Sequence, residues 1–183
     1  MKTQIVSMAL VVAISITSAF TSSAQTMVGG AKMYANKNII ENAVNSKDHT
    51  TLVTAVKAAG LVETLQGDGP FTVFAPTNDA FNKLPKGTVE KLVAPESKAT
   101  LSKILTYHVV AGRITADDLM RKIKAGKGTA VLSTVSGDKL MAMMAGKNIV
   151  LKDEKGNMSK ITISNVMQSN GVIHVIDTVV MPK

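Results

Sequence analysis

Phe71-Thr72-Val73-Phe74-Ala75-Pro76-Thr77-Asn78-Asp79-Ala80-Phe81 is the stretch whose reading decides how this chain is built. It begins as a short apolar strand. Pro76 has no amide hydrogen and a fixed φ, so a strand ladder cannot run through it. Thr77 can then accept a hydrogen bond from a free amide of the next turn, and Asp79 sits at the positive end of that helix. Strand, proline break and helix are therefore expected in immediate succession. Phe71, Phe74 and Phe81 are the only phenylalanines beyond Phe20, so aromatic packing is concentrated here.

Upstream, the chain opens on Met1-Lys2, and Met8 to Phe20 is an apolar run interrupted only by Ser and Thr. Ser22-Ser23-Ala24 supplies small residues before Gln25. A positive start, a short apolar run and a small-residue site form the pattern of a cleaved secretory signal peptide over residues 1–24. The run is too short to span a bilayer. No Cys follows it, which argues against a lipid-anchored product, and no second segment of spanning length occurs. The expected mature chain is a leader, residues 25–35, followed by one domain, residues 36–183.

Removing residues 1–24 from the 183 leaves 159, a size suited to one self-sufficient core. With no Cys, an exported chain has no disulfide and must rely on packing. Thiol chemistry and Cys-ligated metals are excluded with it. Without Lys2 the chain carries 20 Lys and Arg against 13 Asp and Glu. Only Arg113 and Arg121 are arginines, and the lysines spread along the sequence, which reads as a solvated face. Few Arg and few aromatics argue against nucleic-acid readout. Nonspecific attraction to acidic cell-surface polymers remains open through the net field.

The pattern changes from helical to strand-rich along the chain. Ile39, Ile40, Ala43 and Val44 recur at helical spacing, and Ser46 is placed to cap a helix carrying Leu52, Val53 and Val56 that stops at Gly60. Leu61, Val62 and Leu65 form a short turn, and Pro85-Lys86-Gly87 marks a loop. Pro95 suits the start of a helix with Leu101, Ile104, Leu105 and His108 on one stripe. Thr115-Ala116-Asp117-Asp118 resembles a capping box for a helix that runs through Ile123 and ends near Gly126. Beyond Thr129, short β-prone runs alternate with Ser136-Gly137-Asp138, Gly146-Lys147 and Lys155-Gly156-Asn157, which have hairpin-turn chemistry. The last run, Val172 to Met181, is apolar on both faces and is expected as a central, doubly covered strand. The fold class is α+β, a strand sandwich with helices packed on it and no internal repeat.

Three elements in order resemble the fasciclin domain family. They are Phe71–Phe81, the dipeptide Tyr107-His108, and Asn170-Gly171-Val172-Ile173-His174-Val175-Ile176-Asp177-Thr178-Val179-Val180-Met181-Pro182. Together they cover about Asn36 to Lys183, the length of a single domain. The resemblance implies a wedge-shaped β-sandwich of about seven strands with several packed α-helices. It also implies cell-surface or matrix placement and an adhesive role, as in a small secreted bacterial member of the family. The family-motif positions, structural or adhesive, are Phe74, Pro76, Thr77, Asn78, Phe81, Tyr107, His108, His174 and Asp177. No Arg-Gly-Asp occurs, so integrin binding is not carried over.

His49, His108 and His174 lie far apart, without metal-ligand spacing, and His108 and His174 read as buried, hydrogen-bonded structural residues. Asp177, amid apolar residues, reads as a buried carboxylate tying backbone amides or Thr hydroxyls at a strand crossing. Its replacement by Ala is expected to lower the melting temperature by several degrees. Met141-Ala142-Met143-Met144 reads as core filling or an adaptable contact patch, with a copper(I) site as the alternative. No phosphate loop, nucleophile elbow or carboxylate pair stands out. The expectation is a noncatalytic module without cofactor. Its partners would be a cell-surface or matrix protein or an acidic polysaccharide. The alternative is an exported small-molecule or metal (copper) binding protein.

Overall fold

The computed structural model describes residues 26–183, and the expected signal peptide lies outside them. A small hairpin, β1 (Met27–Val28) and β2 (Ala31–Lys32), comes first. Helices α1 (Ile39–Ala43), α2 (Thr50–Ala59) and α3 (Val62–Gln66) lead into β3 (Phe71–Pro76). Then follow α4 (Asn78–Asn82), α5 (Thr88–Val93), α6 (Lys98–Tyr107), β4 (Val109–Ala111) and α7 (Ala116–Ala125). The chain closes as a meander of β5 (Thr129–Ser133), β6 (Lys139–Ala145), β7 (Asn148–Lys152), β8 (Met158–Gln168) and β9 (Gly171–Ile176).

Seven strands run in the order β4-β3-β9-β8-β7-β6-β5, and a bridge between Val110 and Thr134 brings the two ends of this ladder together. The strand β8 links the two halves of this ladder. Its start, Met158–Lys160, pairs with β7, while Ile161 to Gln168 pairs with β9. The register shifts at Ile161/Ile163 and Ile163/Val166, where Asn165 takes φ +59°. Such bulges bend a strand, so one strand serves both halves of the sandwich. The domain is thus the expected α+β, fasciclin-like fold.

Each side of the central β3–β9 pair is covered. Val73, Ala75, Ile173 and Val175 face a core built with Leu52, Val56, Leu101 and Leu105 of α2 and α6. Phe74 and Ile176 face the other core, with Tyr107, Leu119 and Ile123 against Leu132, Leu140 and Leu151 of the meander. All six residues of β9 are buried, as its apolar run requires. The strand ends at Ile176, however, five residues short of Met181, because the chain bends outward at Asp177. The Thr115–Asp118 capping box forms, and Gly60 ends α2 with φ +73°.

Two elements escape the sequence pattern. The three residues of β4 follow directly on α6 and pair with Phe71–Val73, without a turn signal of their own. In α5, Val89, Leu92 and Val93 do have helical spacing, but the helix is six residues long and none of them is fully buried.

Candidate functional site

At the Phe71–Phe81 junction the side chains of Thr72, Thr77 and Asn78 join segments, while Asp79 is exposed. Pro76 is the last residue of β3, and the Thr77 hydroxyl accepts a bond from the Ala80 amide at 3.2 Å, capping α4. Phe74 and Phe81 are buried in the two cores. Asn78 reaches across to α2, where its Oδ1 accepts from the Thr51 amide at 3.0 Å and the Thr50 hydroxyl at 3.2 Å. Its Nδ2 donates to the Lys47 carbonyl at 2.8 Å. The start of α2 is therefore capped from twenty-odd residues away. Ser46, the expected cap, makes no cap bond; its hydroxyl instead pairs with His49 Nδ1 at 2.9 Å, and a 3-10 turn, Lys47–His49, intervenes. Asn78→Ala is expected to cost about 1–2 kcal/mol, the usual worth of a cap, with Asn78→Asp recovering part. Thermal melts check this.

The other motif residues are committed in the same way. The Tyr107 hydroxyl donates to the Lys139 carbonyl at 2.8 Å, and burial pushes its pKa up to about 12. His108 donates from Nδ1 to the Ile104 carbonyl at 2.8 Å and accepts at Nε2 from the Val180 amide at 3.3 Å. His174 has the opposite tautomer: Nε2 donates to the Ile114 carbonyl at 2.9 Å and Nδ1 accepts from the Asn165 amide at 3.4 Å. Its ring stacks on Phe74, centroids 5.7 Å apart. Burial pushes the His108 pKa down to about 4 and lowers that of His174. With all four nitrogens bonded to backbone, neither ring offers a lone pair to a metal.

Asp177 corrects the expectation of a buried carboxylate. Its side chain is 40% exposed, because it follows the outward bend that ends β9. It does tie a strand crossing, accepting from the Lys160 amide at 2.9 Å and the Thr178 hydroxyl at 3.0 Å, with Lys83 Nζ 3.7 Å away. The buried carboxylate is Asp153, which sequence pattern does not distinguish among the charges of its turn. It accepts from the amide and side chain of Asn157 at 2.8 and 2.9 Å, and from the Met181 amide at 2.9 Å. Asp177→Ala is expected to cost about 1 kcal/mol, some 2–4 °C, since its ion pair is exposed and its donors can reach water. Asp153→Ala leaves three donors short in a buried turn and should cost about 3 kcal/mol. A melting temperature that falls as far in the first variant as in the second contradicts this ordering.

Asn170 is a structural anchor outside the nine family-motif positions. Its Nδ2 donates to the Leu65 and Gly67 carbonyls, both at 2.8 Å, and its Oδ1 accepts from the Ile39 amide at 3.1 Å. The β8–β9 turn thereby holds α1 and α3. The nine motif residues do not line a common cleft; they join elements. Among the described residues, no three His, Cys, Asp or Glu side chains gather at metal-binding distance.

An open surface lies on the meander. Cross-strand pairs place Val131, Met141, Lys152 and Met158 in one row and Thr129, Met143, Val150 and Lys160 in the next. The opposite face carries Ala130, Leu132, Leu140, Ala142 and Leu151, and α7 packs there through Leu119 and Ile123. Most of the outer face stays uncovered, with Val131 59% and Met158 46% exposed, while Val150 in its second row is buried. Met141 and Met143 are thus half-buried surface residues and not core filling, because strand alternation gives the inner positions to Leu140 and Ala142. Met144 lies on the other face, so within this cluster only Met141 and Met143 share a side, with Met158 two strands away on the same face.

Charge is unevenly spread along the chain. Residues 119–160 hold nine Lys and Arg against three Asp and Glu; four of the nine lie in or just after α7, and the meander itself, residues 129–168, holds five lysines against Asp138, Asp153 and Glu154. Residues 25–118 hold ten against nine. The lysines are scattered in sequence, but the acids that neutralise them are not. Among the described residues the ion pairs use Lys83, Lys103 and Arg121 and none of the lysines of the meander.

Comparison with known proteins agrees with this architecture. The Fasciclin domain family model matches residues 47–182. Protein sll1483 of Synechocystis is 45% identical over 166 residues, which cover 88% of this chain and 83% of that protein. Immunogenic protein MPB70 of Mycobacterium bovis is 34% identical, over 76% of this chain and 66% of its own length. Transforming growth factor-beta-induced protein ig-h3 of Sus scrofa is 39% identical over 72% of this chain, but only 17% of that longer protein is spanned. Among solved structures, a FAS1 domain pair from the insect cell adhesion molecule fasciclin I superposes with a TM-score of 0.69 at 18% identity. The match covers 78% of this chain and half of that one.

Proposed function

From the premise that this chain belongs to the fasciclin domain family, we propose that it is a secreted, noncatalytic interaction module that binds an anionic component of a cell surface or matrix. The observation that carries this reading is the uncovered face of β5–β8. There Lys139, Lys152 and Lys160 stand beside Val131, Met141 and Met158, and among the described residues none of the three lysines is in an ion pair. Lysines supply long-range attraction to an acidic polymer or acidic protein patch, and flexible methionines supply an adaptable contact. The motif residues support the reading from the other side, since their polar groups are already bonded within the fold. No described helix is long and apolar enough to cross a membrane, and an export signal over residues 1–24 fits a surface role. N-terminal sequencing of the exported protein should then begin at Gln25.

Chromatography on immobilised dextran sulfate, with plain dextran as control, tests the binding itself. Retention is expected near 0.1 M salt on the sulfated matrix alone. It should be lost by 1 M, where the screening length has shrunk from about 10 Å to about 3 Å. No retention at 0.1 M, or retention unchanged at 1 M, contradicts an electrostatic face.

A further inference from the structure

An apolar cavity lies in the helical core, between α1, α2 and the β3–β9 pair, and the centre of a water-sized sphere can range over about 40 Å³ inside it. Val28 of the N-terminal hairpin, Met33 just after it, Ile40, Val56, Phe74 and Ile173 contribute to its wall. His49 stands in the same wall, only 3% exposed. Its Nδ1 is 2.9 Å from the Ser46 hydroxyl, which is itself buried and has no other hydrogen-bond partner. The hydroxyl therefore donates to Nδ1, and the ring proton sits on Nε2. Among the described residues, Nε2 is the one buried side-chain nitrogen or oxygen without a hydrogen-bond partner. Burial lowers the pKa of His49 and outweighs the nearby Ala75 carbonyl, which favours the charged ring but is not aligned for a hydrogen bond, so the imidazole stays neutral.

A buried N–H left unmet is costly, and the chain's two other buried imidazoles have both nitrogens matched. Water is a poor remedy here. An ordered water needs two to four polar partners, and this wall is almost wholly apolar. We propose that the cavity is a binding site for a small apolar molecule with a single hydrogen-bond acceptor, a short ketone or ester, held by the His49 Nε2–H. The hairpin Met27–Lys32 contributes Val28 to this wall. That hairpin precedes the matched residues 47–182 and docks through the Lys47 amide to the Gly29 carbonyl at 3.2 Å. Gly29 has φ +57°, and a Cβ there would strike the Ser46 hydroxyl, so the hairpin rests directly on the pair that orients His49. The site is independent of the charged face of the meander.

The test uses the mature chain, residues 25–183, titrated with 2-butanone and, separately, with xenon, which occupies apolar cavities without a hydrogen bond. Both should move the methyl resonances of Val28, Ile40 and Val56 saturably. Only butanone should move the His49 Nε2 nitrogen resonance. His49→Phe should weaken butanone about fivefold, the worth of one net hydrogen bond, and leave xenon unchanged. If that variant does not fold, the wild-type Nε2 resonance decides alone. The proposal is overturned if neither probe reaches the wall, if Nε2 does not respond to butanone, or if a folded His49→Phe binds butanone as tightly as the wild type.

Discussion

Acidifying the protein from pH 7 to pH 4 should lower its unfolding free energy by about 3 kcal/mol through His108 alone. Burial holds that imidazole at about 4, against 6.5 for an unperturbed ring. A tenfold change in proton affinity is worth about 1.4 kcal/mol. Between these values the unfolded chain binds the proton and the folded one does not, so stability rises with pH across the window. The contribution is complete above pH 6.5, is lost as pH falls towards 4, and changes no further below that. His49 and His174 are displaced in the same direction by the same cause and deepen the loss. Asp118 does not offset it. Its carboxyl is held down to about 2, chiefly by the Thr115 amide and hydroxyl, with Arg121 assisting, so it titrates below this range. Denaturant unfolding at pH 7, 6, 5 and 4 should show a fall that is large beside the 5–15 kcal/mol typical of a domain. His108→Asn should remove a substantial part of the slope. A flat profile would mean that these rings are not buried neutral.

Phe74→Ala should be the most damaging of the motif substitutions, costing about 3–5 kcal/mol, as full truncation of a buried aromatic does. The ring is completely buried, sits in the middle of β3 and stacks on His174. Its removal opens a void beside both cores and frees the imidazole that binds the Ile114 carbonyl. Phe74→Leu keeps most of the apolar volume and should cost clearly less. The stacking contribution is separable, because a double-mutant cycle with His174→Ala should show coupling of about 0.5–1.5 kcal/mol. If Phe74→Ala melts within 2 °C of the wild type, the junction does not organise the core as described.

Much of this was legible in the residues themselves. Pro76 and Thr77 mark the strand end and helix start by rules that need only the adjacent backbone. The unbroken apolar run at Val172–Ile176 could belong only to a strand covered on both faces. What escaped depends on contacts between distant segments. Asn78 looks like an ordinary first-turn residue, and nothing local shows that its amide caps α2. Asp177 and Asp153 could not be ranked by burial from neighbours alone, since the bend after Ile176 decides one and the Asn157 turn the other. The charged face was missed for a related reason. Lysines spaced along the sequence come together only when the β5–β8 meander stacks their strands. The hairpin at Met27–Lys32 has too few residues to declare itself.

The most direct test of a binding face on the meander compares two folded variants on dextran sulfate at 0.1 M salt and 25 °C. One is K139E/K152E/K160E, on the outer face of the meander, and the other is Asn78→Ala, in the family motif. The triple variant should lose retention with its melting temperature nearly unchanged, and Asn78→Ala should melt earlier yet bind as the wild type does. Retention lost in folded Asn78→Ala, or kept in the triple variant, would contradict this and place the binding surface in the motif.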